Sequence, residues 1–361
     1  MHAGLLRDDK DVENRPARTI AFTLAANAIG LALALFAAEF AIRWRVEHGW
    51  HAAWRSLVSA ATPFSEFSTG SLLAADPDLG YRYNPALPGV NSLGLRGPEP
   101  ARPKPDGRRR LIVLGDSVAA PLEGFVALLG KRLGPGWEVM NAAVPGYTTY
   151  QERRLLERDL LALQPDLVAL QYCLNDNHQF LHRFDSGNRM LFTEEARRAL
   201  IGSGGPGGWL AQHSYLAFRM RLAWLQATRR SSGQFPWEDQ PDVAVAWQDS
   251  SWPQFEEHLR AMRDEIRAGK GHLVVVMAPY RPQFDPKVLA KGPSYTLKPQ
   301  AKMAQICDAA GVPLLDLYPV LARRGGADLF TDHYHFNPSG HEVVAAALAE
   351  FLARRGLLES R

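Results

Sequence analysis

From residue 110 onward, short apolar runs alternate with segments whose apolar residues recur at helical intervals. "RLIVLG" (110–115) reads as a buried strand, as do "WEVMNAA" (137–143), "DLVALQYC" (166–173), "GHLVVVMAP" (271–279) and "VPLLDL" (312–317). All five are short for helices, and turn-forming residues lie at or beside their ends. Between them, "LEGFVALLGKRL" (122–133) and "TYQERRLLERDLLAL" (149–163) have helical spacing, and Leu155, Leu156, Leu160 and Leu163 form one apolar stripe. Further helices are expected near 252–268, 299–310 and 338–354. Strands alternating with helices imply parallel βαβ units and a three-layer α/β/α domain with a five-stranded parallel sheet. In such sheets, sites form at the carboxyl ends of the strands.

The amino-terminal pattern is different. "TIAFTLAANAIGLALALFAA" (19–38) runs about 20 residues without a charge, the length of a membrane-spanning helix. The preceding tail mixes Arg7, Lys10, Arg15 and Arg18 with Asp8, Asp9, Asp11 and Glu13. A cleavable leader has a shorter apolar region and a net-positive start, so an uncleaved anchor is the reading taken. Basic residues are similar in number on both flanks, so charge alone does not orient the helix. Trp44, Trp50 and Trp54 follow it and suit either the headgroup level or ordinary packing. The expected layout is a tail over 1–18, an anchor over 19–42, a connector over 43–107 and a catalytic domain over 108–358. The connector's second half is rich in Pro, Gly and Asn, and is either a tether or an irregular packed layer. Residues 178–270 are too long for a simple crossover and carry many aromatic residues. They read as a helical insertion packed on the domain, with some rings available to wall a pocket.

Composition narrows the classes. The formal net charge of +3 is too small to indicate nucleic-acid binding. The one tight basic cluster, Arg108-Arg109-Arg110, reads as a solvated strand entry. Two cysteines, Cys173 and Cys307, make no disulfide framework and show no zinc-site spacing. No metal or cofactor is expected.

Four short blocks stand after expected strands: "GDS" (115–117), "NAAVPGYTTYQ" (141–151), "CLNDN" (173–177) and "LFTDHYHFNPSGH" (329–341). A serine hydroxyl is a poor nucleophile until a base takes its proton. Histidine is the natural base near neutral pH, and a carboxylate on its other nitrogen fixes its tautomer. The fourth block offers Asp332 and His335 in one loop; His333 is less suitably spaced, and His341 suits a capping or packing role. An acyl-transfer transition state also needs donors for its oxyanion. The Ser117 amide, the Gly146 amide and the Asn175 side chain are candidates. Asp116 and Asp176 are expected to hold loop backbones, Cys173 to be a buried small residue, and Tyr147, His178 and Tyr280 to be candidate pocket residues.

These blocks, "VLGDS", "NAAVPGYTT", "LND" and "DHYHFNPSGH", resemble in content and order the SGNH/GDSL hydrolase superfamily. The resemblance implies a flavodoxin-like α/β/α fold, Ser117 as nucleophile, His335 as base and Asp332 as the residue that orients it. It further implies Gly146 and Asn175 as oxyanion donors. An apolar helix, then "NSLGLRGPE", then the GDS strand is similar to membrane-anchored bacterial members, whose catalytic domains lie outside the cytoplasm. Two departures stand out. Cys173 occupies a position that is often glycine in the family, and Val118, Ala119 and Ala120 replace the usual Thr/Ser and Gly after the nucleophile. Neither removes a catalytic group, but both reshape the pocket.

The expected activity is hydrolysis of an acylated small molecule, envelope glycan or lipid. Two other readings use the same chain. An O-acyltransferase would pass the acyl group to a sugar hydroxyl. A non-catalytic envelope scaffold or binding protein would use only the fold.

Overall fold

The computed structural model describes residues 15–47, 49–58, 65–67, 72–178, 182–184, 190–192, 205–231 and 235–359. The tail expected over 1–18 lies outside these up to residue 14, as do parts of the 178–270 insertion. The chain forms two compact units, one of residues 1–64 with 203–223 and one of 65–202 with 224–361.

The larger unit is built on a five-stranded sheet: β1 (Arg109–Leu114), β2 (Trp137–Asn141), β3 (Leu167–Tyr172), β4 (His272–Met277) and β5 (Leu314–Asp316). Every pairing is parallel and the order is β5-β4-β3-β1-β2. This is the doubly wound order, which reverses direction between β1 and β3. The central strands are mostly apolar because both faces are covered. One core layer joins Ile112, Leu114, Val168 and Leu170 to Trp252, Phe255 and Met303, and the other joins Leu111, Val113 and Ala169 to Phe125, Val344 and Leu348.

The apolar amino-terminal helix is α1 (Arg15–Glu47), and the longer helices that follow in the sheet unit are α2 (Phe125–Leu133), α3 (Thr149–Leu155), α4 (Trp252–Ala268), α5 (Lys298–Ala310) and α6 (Pro338–Arg354). α2 begins three residues later than the spacing suggests. Its start is set by the imidazole of His341, whose Nδ1 accepts from the Phe125 amide at 3.2 Å. α3 does not run to residue 163 as one α-helix: Leu156–Leu160 is a π-helical turn and Leu161–Leu163 a 3₁₀ turn.

Residues 72–107 form a layer on the sheet domain. A two-stranded ribbon, Leu73–Asp76 with Gly80–Tyr83, buries Leu73, Leu79, Tyr81 and Tyr83 in the same core as Ile112 and Tyr147. Gln151 ties this layer to α3. Its Oε1 accepts from the Thr148 amide at 3.2 Å and its Nε2 donates to the Leu79 carbonyl at 2.7 Å. The strand entry is a correction to the solvated reading: Arg110 is 0% exposed. Its guanidinium pairs with Glu138 at 2.7 Å and donates to the Ala101 and Leu163 carbonyls. A buried guanidinium is tolerated only when its donors are filled in this way. Arg109 instead stacks over Trp137, 4.3 Å from the ring centre.

Candidate active site

Three loops meet at the carboxyl ends of β1, β2 and β3. After Leu114 the chain turns sharply, and the Ala119 and Ala120 amides both donate to the Asp116 carbonyl, at 3.2 and 3.0 Å. Asp116 itself is buried, and its Oδ1 accepts from the Val118 amide at 2.9 Å. The carboxylate thus clamps the turn on either side of Ser117, which alone in the stretch Leu111–Ala120 is partly exposed. A Cβ on Gly115 would lie 2.6 Å from Gln171 Oε1 and 3.1 Å from the Cβ atoms of Gln171 and Ala119, so a side chain here would press on Gln171 and on the turn.

The β2 loop is laced to the same turn. Asn141 Nδ2 donates to the Ala119 carbonyl at 2.8 Å, and the Val144 amide donates to the Gly115 carbonyl at 3.0 Å. Gly146 follows with φ of 76°, in the left-handed region that favours glycine. After β3, Asp176 Oδ2 accepts from the Cys173 amide at 2.8 Å, which folds the loop that carries Asn175. Asp116 and Asp176 therefore both bond loop backbones.

The fourth loop closes the site. His335 Nε2 lies 2.8 Å from Ser117 Oγ, and His335 Nδ1 lies 2.6 Å from Asp332 Oδ2. The second oxygen of Asp332 accepts from the Tyr334 and His335 amides, both at 2.9 Å. One carboxylate thus shapes its own loop and grips the imidazole. Below the loop, the Asn337 amide donates to the Leu329 carbonyl at 3.0 Å, and Asn337 Oδ1 caps α6 through the Gly340 amide at 2.9 Å. His333 turns elsewhere and stacks on Tyr280, with ring centres 5.8 Å apart.

Electrostatics divide the acids by burial. Burial would raise the Asp332 carboxyl, but the His335 side chain and the His335 and Tyr334 amides outweigh it and hold the pKa below the ordinary value. Burial pushes Asp116 up; the Val118 amide, the His335 imidazole and the Asn175 and Cys173 side chains pull it back only in part. Burial, then the Glu152 and Asp116 carboxylates, push Asp176 well above the ordinary range. Burial likewise raises the Cys173 thiol well above its usual value, an environment that suppresses thiolate chemistry.

The three expected pocket residues lie deeper than that role suggests. Tyr147 is fully buried, packs edge-on against Tyr81 at 5.3 Å and donates its hydroxyl to the Tyr81 carbonyl at 2.5 Å. Tyr280 is buried against His333, and His178 is buried at the end of the β3 loop, its amide 3.3 Å from the Asn175 carbonyl. One acid escaped the sequence reading. Glu152, on α3, is 0% exposed, and neither carboxylate oxygen has a hydrogen-bond partner among the described residues. The signal was present: Glu152 stands three and four positions before Leu155 and Leu156, on the apolar stripe itself. Among the described residues no group of His, Cys, Asp and Glu is arranged to hold a metal ion. A cleft of about 510 Å³ beside Lys104, Asp166 and Lys270 opens at the amino ends of the strands, opposite Ser117.

A parallel sheet of this order with a serine, a histidine and an aspartate in one hydrogen-bonded chain at its carboxyl edge defines the class of ester-bond hydrolases of SGNH type. The GDSL-like Lipase/Acylhydrolase family matches residues 113–343, and the chain belongs to that family. Similar solved structures include the lipase/acylhydrolase of Enterococcus faecalis, 19% identical over 68% of this chain and 96% of that one, with a TM-score of 0.39. A catalytic mutant of an acetylxylan esterase from Geobacillus stearothermophilus is 16% identical over 70% of this chain and 97% of that one, with a TM-score of 0.41. An α/β hydrolase from the metagenome of Lake Arreo, Spain, is 18% identical over 70% and 97%, with a TM-score of 0.40. No curated protein matches the chain.

Proposed function

We propose that the chain is a membrane-tethered serine esterase that removes an acyl group from an envelope glycan, a lipid or a small ester. The observation that carries this reading is the continuous chain Ser117 Oγ, His335 Nε2, His335 Nδ1, Asp332 Oδ2, with links of 2.8 and 2.6 Å. In the proposed mechanism Ser117 Oγ attacks the ester carbonyl carbon as its proton passes to His335 Nε2. The carbonyl π electrons move to oxygen, and the oxyanion is held by the Ser117 and Gly146 amides and the Asn175 side chain. Collapse breaks the bond to the leaving alkoxide, which takes the proton from His335. Water then repeats the sequence on the acyl-enzyme, with His335 as base, and releases the carboxylic acid.

The apolar helix supports the tether: Thr19–Arg45 is long and apolar enough to cross a membrane, and its apolar window has no buried residue. The proposed orientation puts the sheet unit outside the cytoplasm, as in the membrane-anchored relatives the motifs resemble. Protease digestion of intact spheroplasts tests it; full protection of the sheet unit would overturn it. The activity is tested with p-nitrophenyl acetate, butyrate and octanoate. Wild type turns over at least one of them and Ser117→Ala does not; equal turnover by the variant would overturn the assignment. Products that carry the acyl group on an added sugar in preference to water would instead mark a transferase.

A further inference from the structure

The helix Trp50–Val58 is amphipathic in the reverse sense. Its outward stripe is Trp50, Trp54 and Val58, which are 58%, 50% and 67% exposed, while Ala53 and Ser56 occupy the buried side. A helix on a water-soluble surface turns its apolar stripe inward. In the same compact unit, Trp209, Leu210 and Met220, on the helices Gly205–His213 and Tyr215–Ser231, are 61%, 50% and 62% exposed, and Trp44 near the end of α1 is also exposed.

One buried ion pair fixes these segments to α1. Arg43 bonds Glu39 through Nε at 2.7 Å, Ser56 Oγ through Nη1 at 2.7 Å and the His213 carbonyl through Nη2 at 3.1 Å. Its guanidinium also lies 5.2 Å from the centre of the Tyr215 ring. Glu39 in turn accepts from Ser214 Oγ at 2.8 Å and from the Tyr215 and Leu216 amides at 3.1 and 2.9 Å, which satisfies the start of the helix Tyr215–Ser231. Such a pair offsets its desolvation only when its donors and acceptors are filled, and here they are. The arrangement is therefore specific: it holds two tryptophan-bearing segments against the last turns of the apolar helix.

Among the described side chains, the exposed charges beside these rings are all arginines. Arg45, Arg55 and Arg219 are exposed, and Glu39 and Glu47 are the only acids in the stretches 39–58 and 205–223. Tryptophan and arginine at the end of an apolar helix match a bilayer interface, where amphipathic rings sit at the headgroup level and cations meet acidic lipids. We infer that Trp50–Val58 and residues 205–220 form an interfacial collar that lies in the headgroup layer of a bilayer containing anionic lipid. This inference rests on the proposed reading of α1 as a membrane helix.

The test uses the full chain in vesicles of phosphatidylethanolamine and phosphatidylglycerol. An environment-sensitive fluorophore is placed singly at Val58→Cys, Met220→Cys, Leu31→Cys or Glu350→Cys, with the unsubstituted chain as blank for the buried Cys173 and Cys307. Probes at positions 58 and 220 are expected to be quenched several-fold more by a nitroxide near the headgroup than by aqueous iodide. The probe at 31 should respond to a nitroxide deep in the acyl chain, and the probe at 350 to iodide only. If 58 and 220 respond to iodide as fully as 350 while 31 responds to the deep nitroxide, the collar is overturned and the anchor stands. If 31 also responds only to iodide, the anchor reading falls and the collar with it.

Discussion

Asp332→Asn separates the two tasks of this carboxylate. Asp332 Oδ1 organises the loop by accepting the Tyr334 and His335 amides, and an asparagine carbonyl can keep both bonds. Asp332 Oδ2 faces His335 Nδ1 at 2.6 Å, where asparagine would present an NH₂ group. Two donors cannot share that bond, so the imidazole would carry its proton on Nε2 and be unable to accept one from Ser117. The lost charge also matters. Opposite unit charges about 4 Å apart attract by about 4 kcal/mol at an effective dielectric of 20 and by about 1 in water. The Asp332 side chain is 47% exposed and that of His335 34%, so an intermediate value applies. About 2–3 kcal/mol, felt only once the imidazolium forms, corresponds to roughly 30- to 150-fold in rate. With the tautomer penalty added, kcat for p-nitrophenyl ester hydrolysis near neutral pH is expected to fall by about 10²- to 10⁴-fold. The thermal midpoint should stay close to wild type because the loop bonds remain. A loss of less than about fivefold, with the fold intact, would refute the role given to Asp332.

Other substitutions probe the rest of the frame. Asn175→Ala should lower kcat by about 10²- to 10³-fold with little change in KM if its amide holds the oxyanion; a pure KM effect would contradict that role. A Cβ at Gly340 would lie 2.2 Å from the Leu329 carbonyl oxygen and 3.0 Å from Phe336 Cβ, in the base of the His335 loop. Gly340→Ala should therefore cost about 2–3 kcal/mol or more in urea unfolding; an unchanged midpoint would show that the loop yields freely. Burial, with Asp116 adding to it, pushes the Glu152 carboxyl well above its ordinary value of 4.5. The native chain then keeps a proton that the unfolded chain releases, so this group lowers stability as pH rises from the unfolded pKa toward the folded one. Glu152→Gln should gain in Tm relative to wild type as pH rises above the ordinary carboxyl value of 4.5, and a difference that does not vary with pH would contradict a buried neutral acid.

The sheet was legible because each strand is a short apolar run that ends in turn residues: β2 to β5 fall within the expected runs, and β1 starts one residue before its own, at Arg109. The site blocks were legible for the same reason: Ser117, Gly146 and Asn175 each follow a strand whose carboxyl end could be read. The chemistry of Asp332 and His335 follows from one loop's composition, but their 2.6 Å contact depends on the turn that Oδ1 organises, which no pattern displays. The π-helical turn at Leu156–Leu160 was hidden, since its stripe of leucines also fits an α-helix. Arg110 was misread because a charge at a strand entry reads as solvated, whereas its partners Glu138, Ala101 and Leu163 come from distant positions. The long insertion was hard to read for a similar reason. Residues 205–223 belong with α1 in the smaller unit, through Glu39 and Arg43, and nothing local announces that pairing.

The central claim is that Ser117 is a nucleophile activated by His335, and covalent trapping tests it most directly. The full chain is treated with a fluorophosphonate, and its intact mass and peptide map are read by mass spectrometry. The account predicts a single adduct on Ser117, abolished by Ser117→Ala and slowed by orders of magnitude in His335→Ala. Ester turnover by a wild-type chain that takes up no adduct, or takes it up at another residue, would contradict it.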